Sequence, residues 1–273
     1  MSKPLISVIM PTYNRLPVLA EGLESLSRQT FSDFEVIVVN DAGDPVNSVL
    51  ESYPELNIQL LNMKSNGGHV KARNEALNHV QGEYILLLDD DDLILPGHME
   101  RMLAAAQEGD VLYSDAEIFS YVQDESGRVP TKRRLFAYEQ DPALLRKYLI
   151  MIPSGTLYRR EVHDTIGPFD EQVGNYWDWD FFLRVTSACR VKRIPVASTL
   201  YAFNADSGQN LSATFTPARN KFLEYLCEKH QLGTLGMENF YTMLDNPELQ
   251  EKEVPSQQIW DGQRLLSRWN TRK

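Results

Sequence analysis

Four consecutive carboxylates, Asp89, Asp90, Asp91 and Asp92, are the densest chemistry in the chain. They close the run GEYILLLDDDD at residues 82–92, whose apolar stretch at residues 84–88 shows no polar alternation. Such a run predicts a central parallel strand covered on both faces. In open α/β sheets, ligands bind at the carboxyl ends of the strands. Adjacent carboxylates repel one another, so the cluster needs positive charge nearby. A divalent cation is the simplest source, because Mg²⁺ and Mn²⁺ favour carboxylate oxygens and Mg²⁺ leaves positions for phosphate. The alternative is a solvated acidic turn in which Asp92 caps the next helix.

Three further groups have the makings of a site. Asp41 follows the apolar run EVIVVN at residues 35–40. A carboxylate there either accepts hydrogen bonds from a ribose diol or bonds its own turn. Asn66, Gly67 and Gly68 precede a helical pattern that carries Arg73. Glycines at a helix start allow close backbone approach to an anion, and an arginine can form paired hydrogen bonds with phosphate. An ordinary loop with a surface arginine is the competing reading. Later, Asp178 and Asp180 sit among Trp177, Trp179, Phe181 and Phe182. Aromatic surroundings desolvate a carboxylate and raise its pKa toward the range of a general base. Two residues apart on a helix, the acids face different ways, so one is a base at most and the other a cap or structural partner; the competing reading, which this segment taken alone favours, is an aromatic helix packed in the core with an aspartate N-cap.

The elements that must position these groups alternate. Strands are expected at residues 5–10, 35–40, 58–61 and 84–88, with helices at 16–29 and 69–80 between them. This alternation predicts a mostly parallel sheet with right-handed crossovers. A helix at 97–107, a strand at 111–119, an exposed mobile loop at 121–134 and a helix from 175 continue the pattern. A strand at 191–201, a loop at 204–216, a helix at 217–230 and a final helix at 258–269 complete it.

Composition narrows the function. The chain has 273 residues, 42% hydrophobic and 24% charged, with a net charge of -11. That acidity disfavours nucleic acid and anionic lipid as general partners. Cys189 and Cys227 make no metal-ligand spacing, and the five histidines pair nowhere as zinc ligands. With no basic n-region and apolar h-region at its start, and no apolar run of membrane length, the chain reads as cytoplasmic. Neither GxGxxG nor a P-loop follows the first strand, which argues against a dinucleotide or Walker-type site. Ser154-Gly155 lacks the nucleophile-elbow pattern, which gives a hydrolase triad little support.

Read in order, SVIMPTYNR (residues 7–15), FSDFEVIVVNDAG (31–43), NGGHVKARNEAL (66–77), GEYILLLDDDD (82–92), IGPFDE (166–171) and WDWDFFLR (177–184) resemble the family 2 glycosyltransferases of the GT-A fold. The resemblance extends over residues 2–201. It implies an α/β fold with a Rossmann-like, mostly parallel central sheet flanked by helices. Residues 1–215 would form the GT-A domain and residues 216–273 a C-terminal helical extension. It also implies that Pro11, Tyr13, Asp41 and Arg73 line the nucleotide and that Asp89 to Asp91 form the DxD motif. Asp91 would hold the metal, Mn²⁺ or Mg²⁺; Asp89 or Asp90 would face the ribose or sugar; Asp178 would be the base. The implied activity is metal-dependent inverting transfer, hexosyltransferase-like, from a nucleotide-diphosphate sugar, UDP-sugars first, to a glycan or lipid-linked acceptor in polysaccharide or glycoconjugate biosynthesis. Peripheral membrane association and a homodimer are compatible with it; a nucleic-acid partner is not. The chain departs from the family at Asn40 and Trp177, where an acid often stands, and Asp92 makes the acidic run one longer than DxD needs. A sugar-phosphate nucleotidyltransferase would favour a glycine-rich first loop, which PTYNR is not. A catalytically silent sugar-nucleotide binder would not need both Asp91 and Asp178.

Overall fold

The computed structural model describes residues 3–203, 216–238 and 240–272. Its elements run β1 (Ile6–Thr12), α1 (Leu16–Ser27), β2 (Phe34–Asn40), α2 (Asn47–Leu50), β3 (Ile58–Asn62), α3 (His69–Leu77), β4 (Tyr84–Leu87), β5 (Leu93–Ile94), α4 (His98–Ala104), β6 (Val111–Asp124) and β7 (Gly127–Phe136). They continue with α5 (Pro142–Leu145), β8 (Leu157–Arg159), α6 (Val162–Ile166), a 3₁₀ segment (Glu171–Tyr176), α7 (Trp177–Ala188), β9 (Val191–Ala202), α8 (Pro217–His230), α9 (Phe240–Leu244), α10 (Pro247–Gln250) and β10 (Gln257–Gln258).

The uninterrupted apolar strands are explained by cover on both faces. On β1, Ile6, Val8 and Met10 join a buried cluster with Leu19 and Leu23 of α1. Ile9, on the opposite face, joins Val70 and Ala76 of α3 and Phe181 of α7 in a second cluster. Among the described residues the sheet order is β10-β9-β6-β8-β4-β1-β2-β3. The β4-β1-β2-β3 half is parallel, as the alternation predicts. β8 then runs antiparallel between β4 and β6, which makes the whole sheet mixed. Chain order reverses between β1 and β4, and crevices at such points bind ligands. β1 ends in Pro11 and Thr12 with Tyr13, Asn14 and Arg15 following, and the chain that leaves β4 carries the four aspartates.

Two expectations are overturned. Residues 121–134 are not a mobile loop: they form the end of β6 and most of β7, an antiparallel hairpin. Its polarity misleads because, among the described residues, β7 pairs only with β6, so its other edge is not covered by a strand. Pro130 sits at the register shift after Ser120, where a missing N–H is tolerated. Nor do residues 258–269 form a helix. Gly262 has φ +81, which no helix admits, and the tail has no regular structure from 259 to 267 before a 3₁₀ turn at Asn270–Arg272. It packs Trp260 against Leu93, Phe119 and Leu200 and ties Arg268 to Glu24 of α1 at 3.1 Å. The loop expected at 204–216 lies, except for Thr216, outside the described residues; Thr216 caps α8 through its hydroxyl. No helix among the described residues is long and apolar enough to cross a membrane.

Candidate active site

A cavity of about 670 Å³ opens at the carboxyl ends of β1, β2 and β4. All the residues to which the family resemblance assigns a role line it: Pro11, Tyr13, Asp41, Arg73, Asp89, Asp90, Asp91 and Asp178.

The acidic run is a tight turn in which the Asp92 N–H donates to the Asp89 carbonyl at 3.1 Å. Its side chains alternate in exposure. Those of Asp89 and Asp91 are 27% and 21% exposed, while that of Asp90 has none. Asp90 accepts from the Thr12 hydroxyl at 2.7 Å and from Arg15. Arg15 also donates to Asp91 at 2.7 Å. Asp92 is buried too, accepting from the Ser154 hydroxyl at 2.5 Å and from the Ala202 N–H at 3.1 Å. It therefore pins the loop to β9 and does not cap the following helix, whose N-cap is Gly97. Burial pushes the carboxyls of Asp90 and Asp92 above the usual range. Arg15 on Asp90 and Asp91, and Arg73 on Asp89, supply the positive charge that relieves the repulsion expected from the sequence. Oxygens of Asp89, Asp91 and Asp92 lie within 4.8 Å of one another, an all-oxygen set of the kind hard cations take.

Asp41 is buried, and its carboxylate does not bond its own turn. Its two oxygens accept from the backbone N–H groups of Gly67 and Gly68, each at 2.7 Å. The amides expected to face an anion are thus engaged by this carboxylate, which shapes the loop before α3. Gly68 has φ +86, a conformation suited to glycine. Asn40, in place of the acid common in the family, donates to the carbonyls of Gly43 and Asp44 and accepts from the Gly43 N–H, closing the turn after β2.

Arg73 is not a surface arginine. Only 2% exposed, it donates to Asp89 and, at 2.9 Å, to the His69 carbonyl. Its guanidinium lies 3.8 Å from the centre of the Trp177 ring. Trp177 therefore serves as the floor on which this cation rests, a reason for an aromatic where an acid is common. His69 meets the same ring edge-on, and burial beside Arg73 drives its pKa down to about 3, so it stays neutral.

The two acids of WDWD separate as helical spacing requires. Asp180 is fully buried and held by Arg184 at 2.8 Å, Lys229 at 2.7 Å and His230 at 2.7 Å. Burial works against its charge, but bonds from His230 and Lys229 outweigh it and leave its pKa below the usual value. It is the clasp between α7 and α8. Asp178, partly exposed, opens to the cavity, with one oxygen accepting the Trp179 N–H at 2.8 Å. Desolvation, reinforced by the negative charge of Asp89, raises its pKa to about 7.

A second cavity, about 440 Å³, adjoins the first. Tyr148, Tyr176, Trp179, Arg219, Leu223 and Met243 line it, and Asn175, Asp178 and Tyr201 line both cavities. Much of its outer wall comes from α8 and the residues after it. Sequence reasoning gave no role to Arg15, Thr12, Ser154 or Trp177. Arg15 carried a signal as the basic residue of the turn that follows the first strand, and Trp177 as a departure from the family pattern.

The family model described as "Glycosyl transferase family 2" matches residues 7–167. A Bacillus subtilis protein named "Uncharacterized glycosyltransferase YwdF" is 47% identical over 263 residues, covering 96% of this chain and 98% of that one. Among solved structures, S. aureus TarS 1-349 in complex with UDP-GlcNAc has a TM-score of 0.65 at 23% identity, covering 82% of this chain and 66% of that one. The mannosyltransferase PcManGT from Pyrobaculum calidifontis, in complex with GDP-Man and Mn²⁺, has a TM-score of 0.54 at 20% identity, covering 85% and 70%. These structural likenesses are likenesses of fold, and the fold is GT-A.

Proposed function

The chain belongs to glycosyl transferase family 2, and on that premise we propose that it is an inverting transferase moving a sugar from a nucleotide-diphosphate sugar to an acceptor hydroxyl. The observation that carries the proposal is the place of Asp178. A carboxyl with a pKa of about 7 stands on the wall common to two cavities. A general base works best when its pKa lies near the working pH.

In this mechanism the donor occupies the cavity of the acidic loop, with its anomeric carbon toward Asp178. The acceptor hydroxyl enters from the second cavity. Asp178 takes the hydroxyl proton as the new carbon–oxygen bond forms, and the bond to the diphosphate breaks on the opposite face of the sugar. Asp91, with Asp89 beside it, would hold a divalent cation, Mn²⁺ or Mg²⁺, whose charge would offset that of a leaving diphosphate. Asp89 is the accessible acid of the pair expected near ribose or sugar, since Asp90 is spent on Thr12 and Arg15. Tyr13, 46% exposed at the cavity rim, offers a face to the base. A UDP-sugar is placed first because the neighbour TarS 1-349 carries UDP-GlcNAc in its crystal. The mixed aromatic and aliphatic lining of the second cavity suits a glycan or lipid-linked acceptor. Residues 1–215 would then carry the donor chemistry and residues 216–273 much of the acceptor wall.

The test is a calorimetric screen of UDP-, GDP- and dTDP-sugars with Mn²⁺, followed by nuclear magnetic resonance of the product from the donor that binds. Inversion at the anomeric carbon is expected. A product that retains the donor's configuration would sink the mechanism.

A further inference from the structure

The hairpin β6–β7 reaches back to the acidic loop through a buried ion pair. Glu21 on α1 and Arg128 at the start of β7 are only 2% and 3% exposed. The Arg128 N–H donates to Glu21 Oε1 at 3.2 Å, and its Nε donates to Oε2 at 2.6 Å. A third bond leaves the pair: Arg128 Nη1 donates to the backbone carbonyl of Asp91 at 2.6 Å. The guanidinium also lies 5.6 Å and 5.3 Å from the ring centres of Phe119 and Tyr121. Gly127, at φ +128, makes room for this arrangement, because a Cβ there would stand 2.5 Å from Glu21 Oε1.

Stability alone does not account for the pair. Desolvating two charges costs about what their attraction returns, and apolar residues of the same volume would hold the hairpin as well. What an apolar pair could not supply is the bond to Asp91. A carbonyl held from outside the turn fixes the peptide plane between Asp91 and Asp92, and with it the direction in which the Asp91 side chain leaves the backbone. Arg15 grips the carboxylate of Asp91 from the cavity side, while Arg128 grips its backbone from the hairpin side.

We propose that Arg128, seated on Glu21, is a positioning residue that holds Asp91 in the orientation from which its carboxylate binds a divalent cation. This rests on the reading of Asp91 as the cation ligand. Groups that orient metal ligands typically change metal affinity by ~10–100-fold when removed. Lysine at this position keeps the charge beside Glu21 but brings it on a single flexible nitrogen, whereas arginine sets Nε on Glu21 and Nη1 on the Asp91 carbonyl within one rigid plane.

The experiment uses the full chain and Mn²⁺ as the probe. Mn²⁺ affinity is measured by electron paramagnetic resonance with and without UDP, and folding by circular dichroism. R128K is expected to keep the fold and the metal-free UDP affinity of the parent, while binding Mn²⁺ ~10–100-fold more weakly. If R128K does not fold, E21Q carries the test. It preserves side-chain shape while loosening the seat of Arg128, and weaker Mn²⁺ binding is again expected. A folded variant with the parent's Mn²⁺ affinity overturns this inference alone. A parent chain that binds no Mn²⁺ overturns both the inference and the cation reading beneath it. If neither variant folds, the pair is a stability element and the inference fails.

Discussion

Replacing Asp178 with asparagine keeps the shape of the side chain and removes its capacity to take a proton. General-base catalysis typically contributes ~10²–10⁴-fold, so turnover should fall by that factor, about 3–5 kcal/mol of barrier. Donor affinity should hardly change, because the proposed donor contacts lie elsewhere. The pH dependence sharpens the test. Asp178 must be ionised to act, and its pKa is raised to about 7, so kcat/KM of the parent should rise with pH and level off above that value. The variant should lose this limb. The same shift makes a stability statement of opposite sense. The ordinary value is 3.8 and the folded value about 7. The folded chain therefore holds the proton more tightly, and stability falls as pH rises between these values. Once Asp178 is fully ionised the cost is at most about 4 kcal/mol, reduced by water entering from the two cavities. Asp178→Asn should therefore raise the melting midpoint at pH 8, where the parent carries that charge, and change it little at pH 4. The control is Asp180→Asn, which leaves Arg184, Lys229 and His230 facing a neutral group and should destabilise the fold by ~3–5 kcal/mol. Steady-state kinetics across pH and thermal melts measure both effects. Full turnover in Asp178→Asn, with loss confined to Asp180→Asn, would refute the assignment of the base.

Three further outcomes are expected. Asp91→Ala should abolish Mn²⁺-dependent UDP binding in calorimetry while the fold persists, and equal binding would remove Asp91 as the cation ligand. Asp41→Ala should release the N–H groups of Gly67 and Gly68 and weaken UDP binding by ~1.5–3 kcal/mol, the scale of a hydrogen bond to a charged group; an unchanged dissociation constant would leave Asp41 a purely structural residue. Leu223→Arg, placed in the wall of the second cavity, should raise KM for the acceptor with donor affinity intact. If donor binding is the property that suffers, the division of the two cavities is wrong.

Much of the candidate site is legible along the chain itself, and the reason is local. Strands buried on both faces leave uninterrupted apolar runs, so residues 5–10, 35–40 and 84–88 announce themselves, and the groups at their carboxyl ends fall into one crevice. Helical spacing alone separates Asp178 from Asp180. Other features depend on partners distant in sequence. Which aspartates of the run face the cavity is decided by Thr12, Arg15, Ser154 and Ala202, contacts that exist only once β1, β4 and β9 lie near one another. The role of Trp177 needs Arg73 of α3 above it. The hairpin at 121–134 reads as a loop because an edge strand can be polar, and the helix expected at 258–269 fails because Gly262 adopts φ +81. Periodicity and residue type thus determine the elements and the ends from which chemistry projects. Which charges neutralise one another is settled by topology, because a buried charge is stabilised only by a partner that the finished fold brings within reach.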